Sequence, residues 1–185
     1  MKIAIIVGSL RKESFNRKTA KAIMSLAPKS LAMEIVEIGD LPLYNEDLDI
    51  GTPPAAWTAF RQKMKPFDGV RFVTPEYNRS VPAAIKNAID VGSRPYGQGI
   101  WAGKAGAVIS VSPGAAGGFG ANHHLRQSLV FVDVPTMQQP EAYLGHADEL
   151  FDESGNLKNE KTQDFLRKFV EAYAAWAAKI RGNLS

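Results

Sequence analysis

The sequence predicts an α/β domain built on an open, doubly wound, five-stranded parallel sheet with helices on both faces, and three observations predict it. Residues 3–7 (IAIIV), Gly69–Thr74 and Ala105–Val111 are strongly apolar runs, and each leads into a Gly-, Pro- or Ser-rich turn followed by a helical pattern. That is the rhythm of βαβ units in a parallel sheet. No internal repeat or low-complexity linker interrupts the alternation, and 185 residues with 45% hydrophobic content suffice for one core, so one domain is expected over residues 1–185.

The remaining elements fit between those three strands. Residues 33–38 read as a strand of mixed burial, because Ile35 and Val36 are apolar while Glu34 and Glu37 are not, which suits a place near the sheet edge. A fifth short strand is expected over residues 134–138. Helices are expected over residues 15–27, stopping at Pro28, over 55–65, stopping at Pro66, and over 82–90, with Pro82 in the first turn. Another spans Phe119–Phe131. The last helix carries Phe165, Leu166, Phe169, Val170, Tyr173, Trp176 and Ile180 at the spacing of one buried face, a stripe that reads as core packing. The expected strand order is 2-1-3-4-5, and ligands of such sheets bind beyond the carboxyl ends of the strands, where the winding reverses.

Composition removes several classes of chemistry. The chain has no cysteine, which excludes disulfides, thiolate catalysis, thiolate-bound zinc and iron–sulfur clusters. The apolar run at residues 3–7 is broken by Gly8 and Ser9, too short for a signal peptide or membrane span, so a cytoplasmic location is expected. The net charge of +3 comes from scattered Lys and Arg with no basic block; this disfavours nucleic acid and suits anionic small molecules such as phosphorylated cofactors.

The loops after strands 1, 3 and 4 carry the unusual residues. The first, Gly8-Ser9-Leu10-Arg11-Lys12-Glu13-Ser14-Phe15-Asn16, brings hydroxyls, a guanidinium and an amide to the start of a helix, whose N–H groups already attract an anion. Arg11 can add a bidentate contact, and Ser9, Ser14 and Asn16 further hydrogen bonds, to one phosphate dianion; read singly, Ser14 is a helix cap and Arg11 a solvated side chain. The loop lacks both Gly-x-Gly-x-x-Gly and the Gly-Lys-Ser/Thr of a P-loop, which disfavours a dinucleotide-binding Rossmann site or an NTPase.

The second loop, Thr74-Pro75-Glu76-Tyr77-Asn78-Arg79-Ser80-Val81-Pro82, is a rigid turn displaying an aromatic ring and backbone groups against which a flat heteroaromatic ring can pack. Glu76 beside a helix start reads more readily as a dipole partner or structural acceptor than as a catalytic acid. The third loop, Ser112-Pro113-Gly114-Ala115-Ala116-Gly117-Gly118-Phe119-Gly120, has four glycines, allowing close approach of a ligand or merely a flexible connection. His123 and His124 are adjacent and lack the i, i+4 spacing of a helical metal pair, so no metal is assigned.

These motifs resemble the NADPH-dependent FMN reductase family, in its bacterial chromate and quinone reductase branch with relatives among azoreductases. The matching text is Gly8-Ser-Leu-Arg-Lys-x-Ser-Phe-Asn16, Pro75-Glu-Tyr-Asn-x-Ser-Val-Pro82 continuing to Asp90, and the Gly-rich loop with His124-Leu-Arg126. The resemblance implies a flavodoxin-like fold and bound FMN. Ser9, Arg11, Ser14 and Asn16, with Leu10 and Phe15 among them, would hold its phosphate; Pro75, Glu76, Tyr77 and Asn78 would line the isoalloxazine; Ser112 and Gly114 would close the far side. It further implies NADPH or NADH as donor, a quinone, chromate or similar small oxidant as acceptor, and a homodimer or homotetramer in which Tyr77 and Arg126 lie at an interface, against the plainer reading of Arg126 as a surface salt bridge. Arg79, where relatives vary, would favour the donor's phosphates or an anionic acceptor. The stretch 96–103, with Trp101, matches no readable motif.

Since a flavin accepts and passes on two electrons itself, the lack of a catalytic triad or acid–base dyad is expected, and donor and acceptor would alternate in ping-pong fashion. Two other readings are an electron carrier of the flavodoxin type, against which the positive charge argues because such carriers present acidic surfaces, and a redox-sensing flavoprotein without turnover.

Overall fold

The computed structural model describes residues 1–182. Its five strands are β1 (Lys2–Val7), β2 (Ala32–Val36), β3 (Gly69–Thr74), β4 (Ala105–Val111) and β5 (Ala142–Leu144); its helices are α1 (Phe15–Ser25), α2 (Ala55–Met64), α3 (Ala83–Gly92), α4 (Phe119–Phe131) and α5 (Glu160–Gly182), with one 3-10 turn at Glu46–Leu48. All pairings are parallel, and the sheet order is β2-β1-β3-β4-β5, as the sequence predicts.

Period-two alternation in the strands sorts side chains onto two faces. Ile3, Ile5, Val7, Val73, Ala107 and Ile109 face one core layer, closed by Ala20 and Ile23 of α1 and by Leu166, Phe169, Val170 and Tyr173 of α5. Ala4, Ile6, Val70, Phe72 and Val108 face the other, closed by Trp57, Phe60 and Met64 of α2, Ile85 and Ile89 of α3, and Leu125 and Leu129 of α4. The α5 stripe is therefore core, with Phe165, Trp176 and Ile180 packed at its margin. Among the described residues no helix is long and apolar enough to cross a membrane.

The fifth strand lies further along the chain than expected. Residues 134–138 touch the sheet edge only through a bridge of Thr136 to Gly106, with the Gly106 N–H donating to Pro135 O at 2.9 Å and the Met137 N–H to Gly106 O at 2.8 Å. Pro135 and Pro140 have no N–H to donate, so a continuous ladder cannot run through them; pairing resumes at Ala142, opposite Ile109. Smaller differences occur at helix ends: α1 stops at Ser25, α2 at Met64, and α3 starts at Ala83 with Pro82 just before it.

Trp101 also finds its reason here. Its ring lies against Phe60 and Phe72 and its Nε1–H donates to Ile89 O at 3.0 Å, while a Cβ on Gly92 would sit 2.5 Å from that Nε1. Residues 96–103 thus deliver a core plug. Among the described residues the most deeply buried charged side chain is Arg71 of β3, its guanidinium 3.9 Å from the Tyr173 ring centroid, with Nε and one terminal nitrogen lacking a hydrogen-bond partner there. Burial pulls its pKa down to about 10.

Candidate active site

In a parallel sheet the loops after β1, β3 and β4 emerge at the same end, and the winding reverses between β1 and β3. Gly8 joins these two neighbours. Its N–H donates to Val73 O at 2.9 Å, and a Cβ at this position would lie 2.6 Å from Ile85 Cδ1 and 2.8 Å from Pro75 Cδ. Only glycine lets the first loop press so closely on the second.

From Gly8 the chain turns into α1. Ser14 is its N-cap, the hydroxyl accepting from Arg17 N–H at 3.1 Å, which leaves the Ser14 O–H free to donate outward. Ser9, Ser14 and Asn16 are all nearly covered, at 4%, 2% and 3% exposure, yet Asn16 Nδ2 has no hydrogen-bond partner among the described residues. Native folds rarely leave such an atom unmatched unless a ligand or water answers it. No acidic residue occupies the first turn of α1, so its positive end is uncompensated. Arg11 and Leu10 are exposed above this group, with Leu10 lying over Gly39 at the end of the β2 layer. Phe15 instead turns inward and stacks on Phe151 at 6.5 Å; its side chain serves the core.

The second loop closes as a two-residue hairpin turn. Tyr77 and Ser80 exchange backbone hydrogen bonds of 3.1 and 3.0 Å, and Asn78 and Arg79 both take positive φ, 51° and 63°, the signature of a type I′ turn. Pro75 is buried and Tyr77 is 46% exposed. Glu76 does what the plainer reading expected: its Oε2 accepts from Ala121 N–H in the first turn of α4 at 3.0 Å, satisfying a helix-terminal donor. The N–H groups of Glu76 and Asn78 have no acceptor among the described residues.

The third loop is folded rather than slack. Ser112 Oγ accepts from Gly114 N–H at 3.2 Å, and a Cβ on Gly117, at φ 59°, would lie 2.7 Å from the Tyr143 carbonyl carbon. Beneath it the fully buried Asn122 donates to Ser110 Oγ and Ala142 O. Gly120 brings α4 against the second loop, since a Cβ there would be 2.8 Å from Arg79 O.

The structure therefore gathers Ser9, Leu10, Arg11, Ser14, Asn16, Pro75, Glu76, Tyr77, Asn78, Ser112 and Gly114 on three mutually packed loops, with the Phe15 side chain and the Glu76 carboxylate directed elsewhere. Among the described residues Arg126 makes no salt bridge. Its Nε donates to Asn122 Oδ1 and a terminal nitrogen to Met137 O, each at 2.9 Å, making it an internal strut between α4 and the segment before β5. His123 and His124 do face different ways, the first to Tyr143 O–H at 2.9 Å and the second to Ser80 Oγ at 3.0 Å. The His124 contact, which steadies the second loop, was not legible in the sequence because its partner is 44 residues away.

A family model described as NADPH-dependent FMN reductase matches residues 1–149. The chain belongs to the NADPH-dependent FMN reductase family. This reductase is 65% identical over 174 residues to a quinone reductase of Pseudomonas putida, covering 94% of this chain and 93% of the relative. It is 47% identical to a 2-hydroxy-1,4-benzoquinone reductase of a Burkholderia species, with 98% of each chain covered. Among solved structures, FerB of Paracoccus denitrificans, a flavoenzyme NAD(P)H:(acceptor) oxidoreductase, superposes with a TM-score of 0.90 at 43% identity, covering 96% of this chain and 97% of that one. The fold is flavodoxin-like, and the reductase is an NAD(P)H-dependent flavoprotein enzyme whose flavin is FMN. The carrier and sensor readings fall away.

Proposed function

We propose that the reductase passes electrons from NAD(P)H to quinones in the cytoplasm, with chromate among its further acceptors, and that the phosphate of its FMN sits in the loop at Gly8. The observation that carries this is the buried Asn16 carboxamide with an unanswered N–H, beside two buried serines at an uncompensated helix start. The donor set suits a phosphomonoester: hydroxyls, amides and a guanidinium, with no acid in the first turn to repel it.

FMN, when bound, would supply a two-electron carrier able to serve NAD(P)H and the acceptor in turn, which would give ping-pong kinetics. The protein's own part is to bind and orient. Arg11 and the first-turn amides of α1 grip the phosphate. Pro75, Tyr77 and the unpaired amide of Asn78 would border the ring, and the Glu76 amide would offer a second donor able to stabilise negative charge on it. Ser112 and Gly114 border it from the third loop. No side chain is needed to exchange a proton with the reacting atoms.

A groove of about 780 Å³ between α3 and α4, ending at Ser80 and His124, runs beside strongly exposed Val130 and Phe131. We assign this face to a second copy of the chain in a homodimer or homotetramer, since neighbouring apolar side chains exposed along a groove form the contiguous kind of patch that marks contact surfaces.

The test is Arg11→Ala. FMN affinity is expected to weaken by about 1.5 to 3 kcal/mol, the range for a charged hydrogen bond, with the circular dichroism of the fold unchanged. An unaltered FMN titration removes Arg11 from the site, and a parent protein that turns over no NAD(P)H when offered a quinone refutes the activity.

A further inference from the structure

We propose that Arg79 is the residue that recognises the phosphates of the dinucleotide donor at the mouth of the cleft; this rests on the flavin site described above. Arg79 occupies the second central position of the Tyr77–Ser80 turn at φ 63°, a place that glycine fills readily and that a side chain with a Cβ enters only at a cost in backbone energy. The fold draws little from that side chain in return. It is 85% exposed, and its one polar contact among the described residues is with Glu76 Oε1 at a long 3.4 Å, while the other Glu76 oxygen is already engaged by Ala121 N–H. A strained position occupied by an exposed cation points to a ligand.

The guanidinium also leaves from a fixed base. Tyr77 and Ser80 are bonded in both directions, His124 holds Ser80 Oγ at 3.0 Å, and the Arg79 carbonyl is wedged against Gly120. A planar fork on a rigid turn suits bidentate capture of phosphate oxygens. Of the two substrates, the nucleotide donor carries several phosphate charges and a neutral quinone carries none. The FMN phosphate is assigned to Arg11, on a different loop, so Arg79 is available to the donor. On binding, the guanidinium exchanges its weak contact with Glu76 for the donor phosphate, and Glu76 stays anchored to α4.

Arg79→Gly and Arg79→Lys, both loaded with FMN, test this. Glycine suits the turn, so Arg79→Gly is expected to melt at or above the parent temperature and to keep its FMN absorbance. Its kcat/KM for the donor falls tenfold or more, the salt dependence of that constant shrinks, and Arg79→Lys recovers part of the loss. The KM for a neutral quinone such as 1,4-benzoquinone moves less than twofold. Loss confined to NADPH assigns the contact to the 2′-phosphate, and equal loss with NADH assigns it to the diphosphate. Donor constants within twofold of the parent overturn the proposal, as does a loss that falls on chromate or the quinone instead. A parent enzyme with FMN bound but no turnover would refute the functional reading itself, an outcome distinct from normal turnover with an unmoved donor constant.

Discussion

Replacing Asn16 by leucine should move protein stability and FMN affinity in opposite directions. Asn16 is 3% exposed and its Nδ2 is unpartnered, so the flavin-free protein carries a buried donor at a cost of about 1 to 3 kcal/mol. Leucine has the same branched side-chain skeleton with apolar ends and is at home in a helix. The flavin-free variant should therefore be about 1 kcal/mol more stable, a rise of roughly 2 to 4 °C for a domain of this size. With FMN the sign reverses. A hydrogen bond to a charged phosphate contributes about 1.5 to 3 kcal/mol, so Kd should rise roughly 10- to 150-fold. At saturating FMN the melting temperature gained on adding flavin should shrink by roughly 3 to 12 °C. Differential scanning fluorimetry with and without FMN reads both effects, and a fluorescence titration gives Kd directly. A variant that is less stable without flavin, with unchanged FMN affinity, would show that the amide is already satisfied within the protein and that the phosphate sits elsewhere.

Other substitutions report on the scaffold. Arg71→Met removes a cation whose fall from 12.5 to about 10 corresponds to roughly 3 kcal/mol against its charged form; chemical denaturation should show equal or greater stability, and a loss above about 2 kcal/mol would mean that an internal water or anion satisfies the guanidinium. Gly8→Ala drives a methyl into Ile85 and Pro75, and should cost about 1 to 3 kcal/mol by overpacking while lowering FMN occupancy in the purified protein; unchanged occupancy would uncouple the two loops. Glu37, held below its ordinary carboxylate range by its hydrogen bond to Arg17, stabilises the fold above the ordinary pKa of about 4.5 and loses that contribution as pH falls through its lowered value. Because the pair is largely exposed, Glu37→Gln should change the acid limb of the stability curve by under about 1 kcal/mol, and less in high salt.

What the sequence made legible follows from the range of the forces involved. Apolar strands followed by turns and helices are local patterns, and the handedness of βαβ crossovers turns them into a topology; hence the sheet order and the three loops could be read directly. Helix α4 matched its expected span, Phe119–Phe131, because Gly117 and Gly118 mark its start. Contacts between distant segments could not be read. Arg71 sits in an apolar run, and nothing near it announces that Tyr173 will cover its charge. Glu76 finds Ala121 45 residues on, and Arg126 finds a carbonyl in the segment before β5 rather than a surface acid. Residues 134–138 have apolar character suited to a strand, but their position was set by two prolines that break the pairing.

The hydrogen bond from Ala121 to Glu76 makes two borders of the active cleft a single mechanical piece. A substitution at the start of α4 will be felt in the Tyr77–Ser80 turn, and the reverse holds as well.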